Sequence, residues 1–160
     1  MIDDGDYYIK QNPEPWNKRA NILYIESPAG VGFSVGETPQ DWIHNDMTTS
    51  EDALAAMKDW YAGFSEYLNN DLYISGESYG GIYAPYLAWQ IHNHNKLVEV
   101  FKETQHYPLK GFIVGNGATD WEIDVSPLFP EVVHKFNLIP SGLLNNFTDN
   151  NCAFYYHNVS

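Results

Sequence analysis

"LYISGESYGGIYAP", residues 72–85, places a serine between glycines two positions before and two positions after it, as Gly76-Glu77-Ser78-Tyr79-Gly80. Leu72 to Ser75 reads as a short strand. From about Tyr79 to His94 the residues Ala84, Leu87, Ala88 and Ile91 fall on one side of a helix, and Pro85 lies in its first turns, where proline is tolerated. A serine between such a strand and such a helix sits on a tight, strained turn, and glycines on either side let the two backbones pass. Ser78 is therefore the candidate nucleophile, with Gly76 and Gly80 as its elbow glycines. The Tyr79 amide, at the amino end of the helix, is the candidate oxyanion donor. Glu77 beside them opposes an oxyanion unless it is protonated or recognises substrate; protonated, it donates a hydrogen bond to a substrate carboxylate, best in acid.

Outward from this turn, β-rich runs alternate with helical ones. Residues 21–27, NILYIES, predict a buried strand closed by Pro28 and the glycines of "PAGVGFS". From Thr48 to about Leu68, the residues Leu54, Met57, Trp60, Tyr61, Phe64 and Leu68 recur at helical intervals, and Thr49 with Asp52 resembles a cap. LKGFIVGNG, residues 109–117, reads as a third strand, and residues 127–147 as two short helices broken at Ile139-Pro140. The order β-α-β-α-β-α-α predicts an α/β fold with a mostly parallel sheet and helices on both faces.

The whole composition sets bounds on partners. Its 160 residues suffice for one domain with a core, and 44% apolar and 16% aromatic residues are far from a disordered profile. A formal charge of −13 repels nucleic acid and anionic membrane surfaces, and no basic run offsets it. The apolar stretches stop well short of the roughly 20 residues of a membrane span. The start, MIDDGDYYIK, lacks the basic and apolar pattern of a secretory signal, which predicts either a cytosolic chain or a start that lies elsewhere. Cys152 is the one cysteine, read as an idle thiol or as half of a disulfide; the sequons at Asn146 and Asn158 lean toward the second reading and toward glycosylation.

"NILYIESPAGVGFS", "GESYGGIYAP" and "GFIVGNGATD", in this order and at these separations, resemble the serine carboxypeptidase family of α/β-hydrolases. "WNKRANILYIESP" near the start and "NLIPSGLLNNFTDNNC" near the end are similar to it too, so the likeness extends over nearly the whole chain. The resemblance implies Ser78 as nucleophile, the Tyr79 amide as oxyanion donor, and Glu77 among the groups that hold the free C-terminal carboxylate of a peptide substrate. It implies acid-favoured removal of C-terminal residues in a lysosome, a vacuole or a secreted fluid, with no cofactor and no metal. It also implies a cysteine at Cys152 whose partner lies further along. The family's asparagine and double-glycine loop would lie before Met1 and its catalytic aspartate and histidine after Ser160. The resemblance thus makes residues 1–160 an incomplete α/β-hydrolase domain, with a cap or insertion region beginning at about 127, completed by further segments of the same enzyme or by a larger assembly. Val35 and Ile82 depart from the family pattern, which bears on pocket detail.

Other readings of the residues compete with this one. A triad in the order Ser78, Asp120 or Asp124, and His134 or His157 would make a compact esterase. A chain without its own acid and base would instead be a non-catalytic subunit or remnant, and an acyl-enzyme intercepted by an alcohol would make an acyltransferase. His92 and His94, two apart on a helix, point to different faces and do not share a metal. Asp3, Asp4 and Asp6 around Gly5 lack the later glutamate of a calcium loop and read as a solvated acidic turn. "PAGVGFS" has neither a following Gly-Lys-Ser/Thr nor GxGxxG spacing, so no nucleotide is implied.

Overall fold

In the computed structural model, which describes residues 9–102, 105–120, 124, 129–150 and 152 together with the backbone of 2–3 and 6–7, a small parallel sheet is packed under two long helices. The elements are β1 (Ile2–Asp3), β2 (Asp6–Tyr7), α1 (Asp46–Gly63), β3 (Leu72–Glu77), α2 (Gly80–Phe101), β4 (Leu109–Gly115), α3 (Phe129–Lys135) and α4 (Ser141–Asp149). β1 and β2 form a short antiparallel pair, with Ile2 opposite Tyr7 and Asp3 opposite Asp6. β3 and β4 run parallel, in register from Tyr73 opposite Gly111 to Glu77 opposite Gly115. Parallel neighbours require a long crossover, and α2 supplies it. This is an α/β domain in incomplete form.

α1 begins earlier than the Thr49–Asp52 pair suggests. Asn45 stands in extended backbone at φ −139 and ψ 172, so its side chain can fold over the first turn and accept from the Thr48 amide at 2.9 Å. The Thr48 hydroxyl returns a bond, accepting from the Asn45 amide at 3.0 Å. Thr49 and Ser50 are instead buried within the helix, where the Ser50 hydroxyl donates to the Met47 carbonyl at 2.7 Å and accepts from the Gln90 side-chain amide of α2 at 3.2 Å. The helix ends at Gly63, and Leu68 lies in a following 3-10 turn, Ser65–Asn69.

The core is built by Ala53, Met57 and Tyr61 of α1, Leu87 and Ile91 of α2, and Tyr107, with Leu72, Ile74 and Leu109 of the strands against it. Ile91 is 0% exposed and sits at its centre. The helical spacing of Ala84, Leu87, Ala88 and Ile91 produced this face, and α2 runs two turns beyond the expected His94 to Phe101. The extension is fastened by Asn95, whose side chain donates to the Tyr107 carbonyl at 2.7 Å and accepts from the Tyr107 amide at 2.9 Å. A buried amide with both functions matched holds the loop before β4 against the helix. Tyr73 and Ile113, on the sheet face turned away from Ile74, remain exposed.

The 21–27 run differs from its reading as a buried strand. No ladder partner pairs with it among the described residues, and Leu23, Tyr24 and Ile25 are exposed. Its apolar composition suits a strand between two neighbours, yet composition makes no strand without a partner to receive its amides and carbonyls. The two short helices of the 127–147 segment are present as α3 and α4, which pack on each other across the Ile139-Pro140 break. No helix among the described residues is long and apolar enough to cross a membrane.

Candidate functional site

Ser78 adopts φ 58, the left-handed region that a residue with a Cβ enters only under constraint. It follows the last residue of β3 and precedes Tyr79, the N-cap of α2, which is already helical at φ −61 and ψ −16. Several bonds hold this conformation. The Ser78 amide donates to the Gly115 carbonyl at 3.2 Å, continuing the β3–β4 ladder by one residue. The Ser78 carbonyl accepts from the amides of Gly81 at 3.0 Å and Ala118 at 2.9 Å. Strand, helix and the loop after β4 thus meet at one residue, whose side chain is exposed.

Close approach explains two of the glycines. A Cβ on Gly76 would lie 2.7 Å from the Gly80 carbonyl oxygen, and one on Gly81 would lie 2.6 Å from the Ala118 carbonyl oxygen. Gly80 itself has open space where a Cβ would go, so the clearance on the helical side belongs to Gly81. The sequence motif names Gly80 because of its spacing. The structure adds Gly81 because β4 and its loop, remote in sequence, pass over that position.

The Tyr79 side chain extends to α1, where its hydroxyl donates to the Asp46 carboxylate at 3.0 Å. Its ring lies 4.8 Å from that of Tyr83. Loss of water, reinforced by the bond to Asp46, pushes the Tyr79 phenol up to about 12. Nothing in the sequence pattern pointed to Asp46, since the expected helix began after it. Glu77 is exposed at the end of β3, level with Gly115.

Of the residues of the compact-esterase alternative, Asp124 and His134 are engaged by groups other than Ser78. Asp124 accepts from the Thr119 amide and hydroxyl, both at 2.7 Å, and from the Asp120 amide at 2.9 Å. These bonds, led by the Thr119 hydroxyl, hold its carboxyl below the usual range and mark it as the staple of its own turn. His134 is tied through Nδ1 to the Ile139 carbonyl at 3.0 Å, bridging α3 to the turn before α4. Asp120 is exposed on the loop after β4, and His157 lies outside the described residues, as does Asn158. Among the described residues, no hydrogen bond reaches the Ser78 hydroxyl.

"PAGVGFS" closes on a carboxylate from the run before it. The Phe33 amide donates to the Glu26 carboxylate, and the Ser34 hydroxyl donates to the Glu26 carbonyl at 2.6 Å. Gly32, at φ 56, packs so tightly on the Glu26 carboxylate that a Cβ would overlap it, and Gly30, at φ 91, packs on the Trp42 ring. The His44 ring bonds the Ala29 carbonyl at 2.9 Å. This loop therefore closes on side chains from the segments that flank it. His94 is likewise engaged, by the Gln105 carbonyl at 2.8 Å, and no group of three or more metal-ligating side chains gathers among the described residues. Asn146 is exposed within α4, and Cys152 is exposed as a free thiol.

A family profile described as "Serine carboxypeptidase" matches residues 1–160. Serine carboxypeptidase-like 20 of Arabidopsis thaliana is 39% identical over 137 residues, which cover 86% of this chain and 27% of the relative. Serine carboxypeptidase-like 26 of Oryza sativa subsp. japonica is 46% identical over 113 residues, covering 70% of this chain and 23% of the relative. The chain thus spans about a quarter of the length of these curated relatives. Among solved structures, a prohormone-processing carboxypeptidase from Saccharomyces cerevisiae superposes with a TM-score of 0.64 at 23% identity, over 86% of this chain and 32% of that one. That likeness is one of fold.

Proposed function

The chain belongs to the serine carboxypeptidase family, and from that premise we propose that it carries the nucleophile of a serine-type carboxypeptidase acting on peptides with a free C-terminus. The observation that carries the reading is Ser78 itself, exposed and held at φ 58 where a parallel strand turns into a helix. Strain of this kind, of order 1–3 kcal/mol, persists only where the surroundings enforce it, and it concentrates at sites of function.

In the proposed reaction the Ser78 hydroxyl oxygen attacks the carbonyl carbon of the last peptide bond, and a general base takes its proton. The Tyr79 amide, at the positive end of α2, stabilises the oxyanion. The amine of the C-terminal residue departs with that proton, and water then hydrolyses the Ser78 ester. Glu77, adjacent in sequence and exposed, belongs to the group that holds the terminal carboxylate, and the family resemblance implies acidic surroundings such as a lysosome, a vacuole or a secreted fluid. The base and its acid partner come from an aspartate and a histidine outside this chain, as the family resemblance implies.

A second reading shares the same observation. The Ser78 hydroxyl has no hydrogen-bonded partner among the described residues, which suits a nucleophile whose base lies outside this chain and a non-catalytic subunit on the same scaffold alike. A fluorophosphonate probe separates the two in the longest product of the coding sequence. The carboxypeptidase reading expects a covalent adduct mapped to Ser78 and lost in Ser78→Ala, with C-terminal residues released from peptides. A folded protein that takes up no probe at Ser78 rejects it. Supplying an alcohol acceptor and analysing products then distinguishes hydrolysis from acyl transfer.

A further inference from the structure

We propose that Asp46 is a positioning residue for this site, holding the Tyr79 hydroxyl and, through the ring, the Ser78–Tyr79 peptide whose N–H is the oxyanion donor; this rests on Ser78 being the nucleophile. The argument begins with the peptide plane. A trans peptide is planar, so the direction of the Ser78 carbonyl fixes the opposite direction of the Tyr79 N–H. That carbonyl is held by two donors, the amides of Gly81 at 3.0 Å and Ala118 at 2.9 Å. These bonds set one side of the plane. The other side ends at the Tyr79 Cα, which the first turn of α2 holds through the Tyr79 carbonyl, accepting from the Ile82 amide at 2.9 Å and the Tyr83 amide at 3.3 Å.

The side chain adds a hold from outside the elbow, along the direction that these backbone bonds leave unbraced. The Tyr79 ring is rigid, and its hydroxyl is fixed 3.0 Å from a carboxylate oxygen of Asp46. Asp46 is the first residue of α1, directly after the Asn45 cap with its reciprocal bonds to Thr48, and α1 is packed against α2 through the core. The anchor therefore stands on a rigid element from elsewhere in the sequence. Tyr83, with its ring 4.8 Å away, flanks the Tyr79 ring. A phenol shifted up to about 12 stays protonated, and so remains a donor, throughout the neutral and acidic range. Ser78 at φ 58 is the kind of strained residue that requires such bracing.

The test uses Asp46→Ala, Asp46→Asn, Tyr79→Phe and the Asp46→Ala/Tyr79→Phe double variant in the longest product of the coding sequence. Fluorophosphonate inactivation gives a limiting rate and a half-saturating probe concentration. A displaced amide costs rate rather than probe affinity, so Asp46→Ala and Tyr79→Phe are each expected to slow the limiting rate about tenfold, with half-saturation held within about twofold. Asp46→Asn, which keeps an acceptor oxygen, recovers most of the rate. The double variant is no slower than the slower single one, because both remove the same bond. Wild-type rates in Asp46→Ala, multiplying losses in the double variant, or a change confined to half-saturation would each overturn the proposal.

If the wild-type protein takes no label, the nucleophile reading has failed, and the anchor is decided by the ¹⁵N–¹H resonance of Tyr79. Movement of that resonance in both Asp46→Ala and Tyr79→Phe, with the Ile91 amide unmoved, supports positioning. A stationary Tyr79 amide overturns it.

Discussion

The stretch from Asp46 to Gly117 and the stretch from Ile9 to Asn45 both contain an apolar run leading into a glycine turn, yet only one of them builds a core. Met57 and Ile91 in the first are 2% and 0% exposed, whereas Tyr24 and Phe33 in the second are 76% and 95% exposed. Hydrophobicity is not what separates them. β3 finds β4 after a single crossover helix, so its amides enter a ladder and its inward side chains meet α1 and α2. The run at 21–27 has no strand beside it among the described residues, and the glycine turn after it closes on Glu26 and Trp42. A motif organises the chain around it only where the elements it joins are themselves paired.

The largest expected effect sharpens this contrast directly. Ile91→Ala removes the most enclosed side chain of the core and should cost about 2–5 kcal/mol. Tyr24→Ala, in the unpaired run, should cost less than about 1 kcal/mol because the residue is already 76% exposed. Urea unfolding of both variants measures the difference. Equal losses would mean that the 21–27 run is packed in solution, and the comparison would break.

A smaller effect is expected at the elbow. Gly81→Ala drives a methyl to 2.6 Å from the Ala118 carbonyl, a backbone group with little room to retreat. Overpacking of this kind costs about 1–3 kcal/mol. It also pulls the Ala118 amide away from the Ser78 carbonyl, so probe labelling should fall along with stability. Gly80→Ala enters open space in the first turn of α2 and should be neutral, or stabilising by up to about 1 kcal/mol through reduced unfolded-state entropy. If the two substitutions behave alike, the bracing of the elbow by the loop after β4 is wrong.

Much of this arrangement was legible in residues 72–117, because each step there is local. The strand, the glycines, the one-sided apolar spacing of α2 and the next strand follow one another in sequence, and two of the three ordered motifs of the family resemblance begin in the same stretch. What sequence reading missed was set by contacts across the chain. The Asp46 anchor joins residues on different helices, the Asn95 clasp depends on where Tyr107 returns, and the crowding at Gly81 depends on Ala118. The start of α1 was misplaced for a different reason. Thr49 with Asp52 and Asn45 with Thr48 offer similar caps four residues apart, and only the burial of Thr49 and Ser50, the latter bonded to Gln90 of α2, decides between them. The 21–27 strand was overread because four apolar residues in a row signal burial without naming a partner.

The smallest effect concerns the loop after β4, which braces the elbow through Ala118 and is itself stapled by Asp124. Asp124 has its carboxyl lowered from the ordinary 3.8 by bonds from Thr119 and Asp120. A carboxyl with a lowered folded-state value contributes its stabilisation fully above the unfolded value, and that contribution fades as pH falls through the folded one. The staple should therefore stay closed in a mildly acidic compartment and open only below the ordinary carboxylate range. Asp124 is solvent-exposed, so the change in global stability will be slight and the readout must be local. Amide exchange at Thr119 and Asp120, followed from neutral pH downward after correction for the intrinsic rate, should remain protected until below 3.8. In Asp124→Asn it should be faster at neutral pH and lose its acid dependence. Protection lost well above 3.8 in the wild-type protein would detach this loop from the elbow under the acidic conditions that the proposed activity favours.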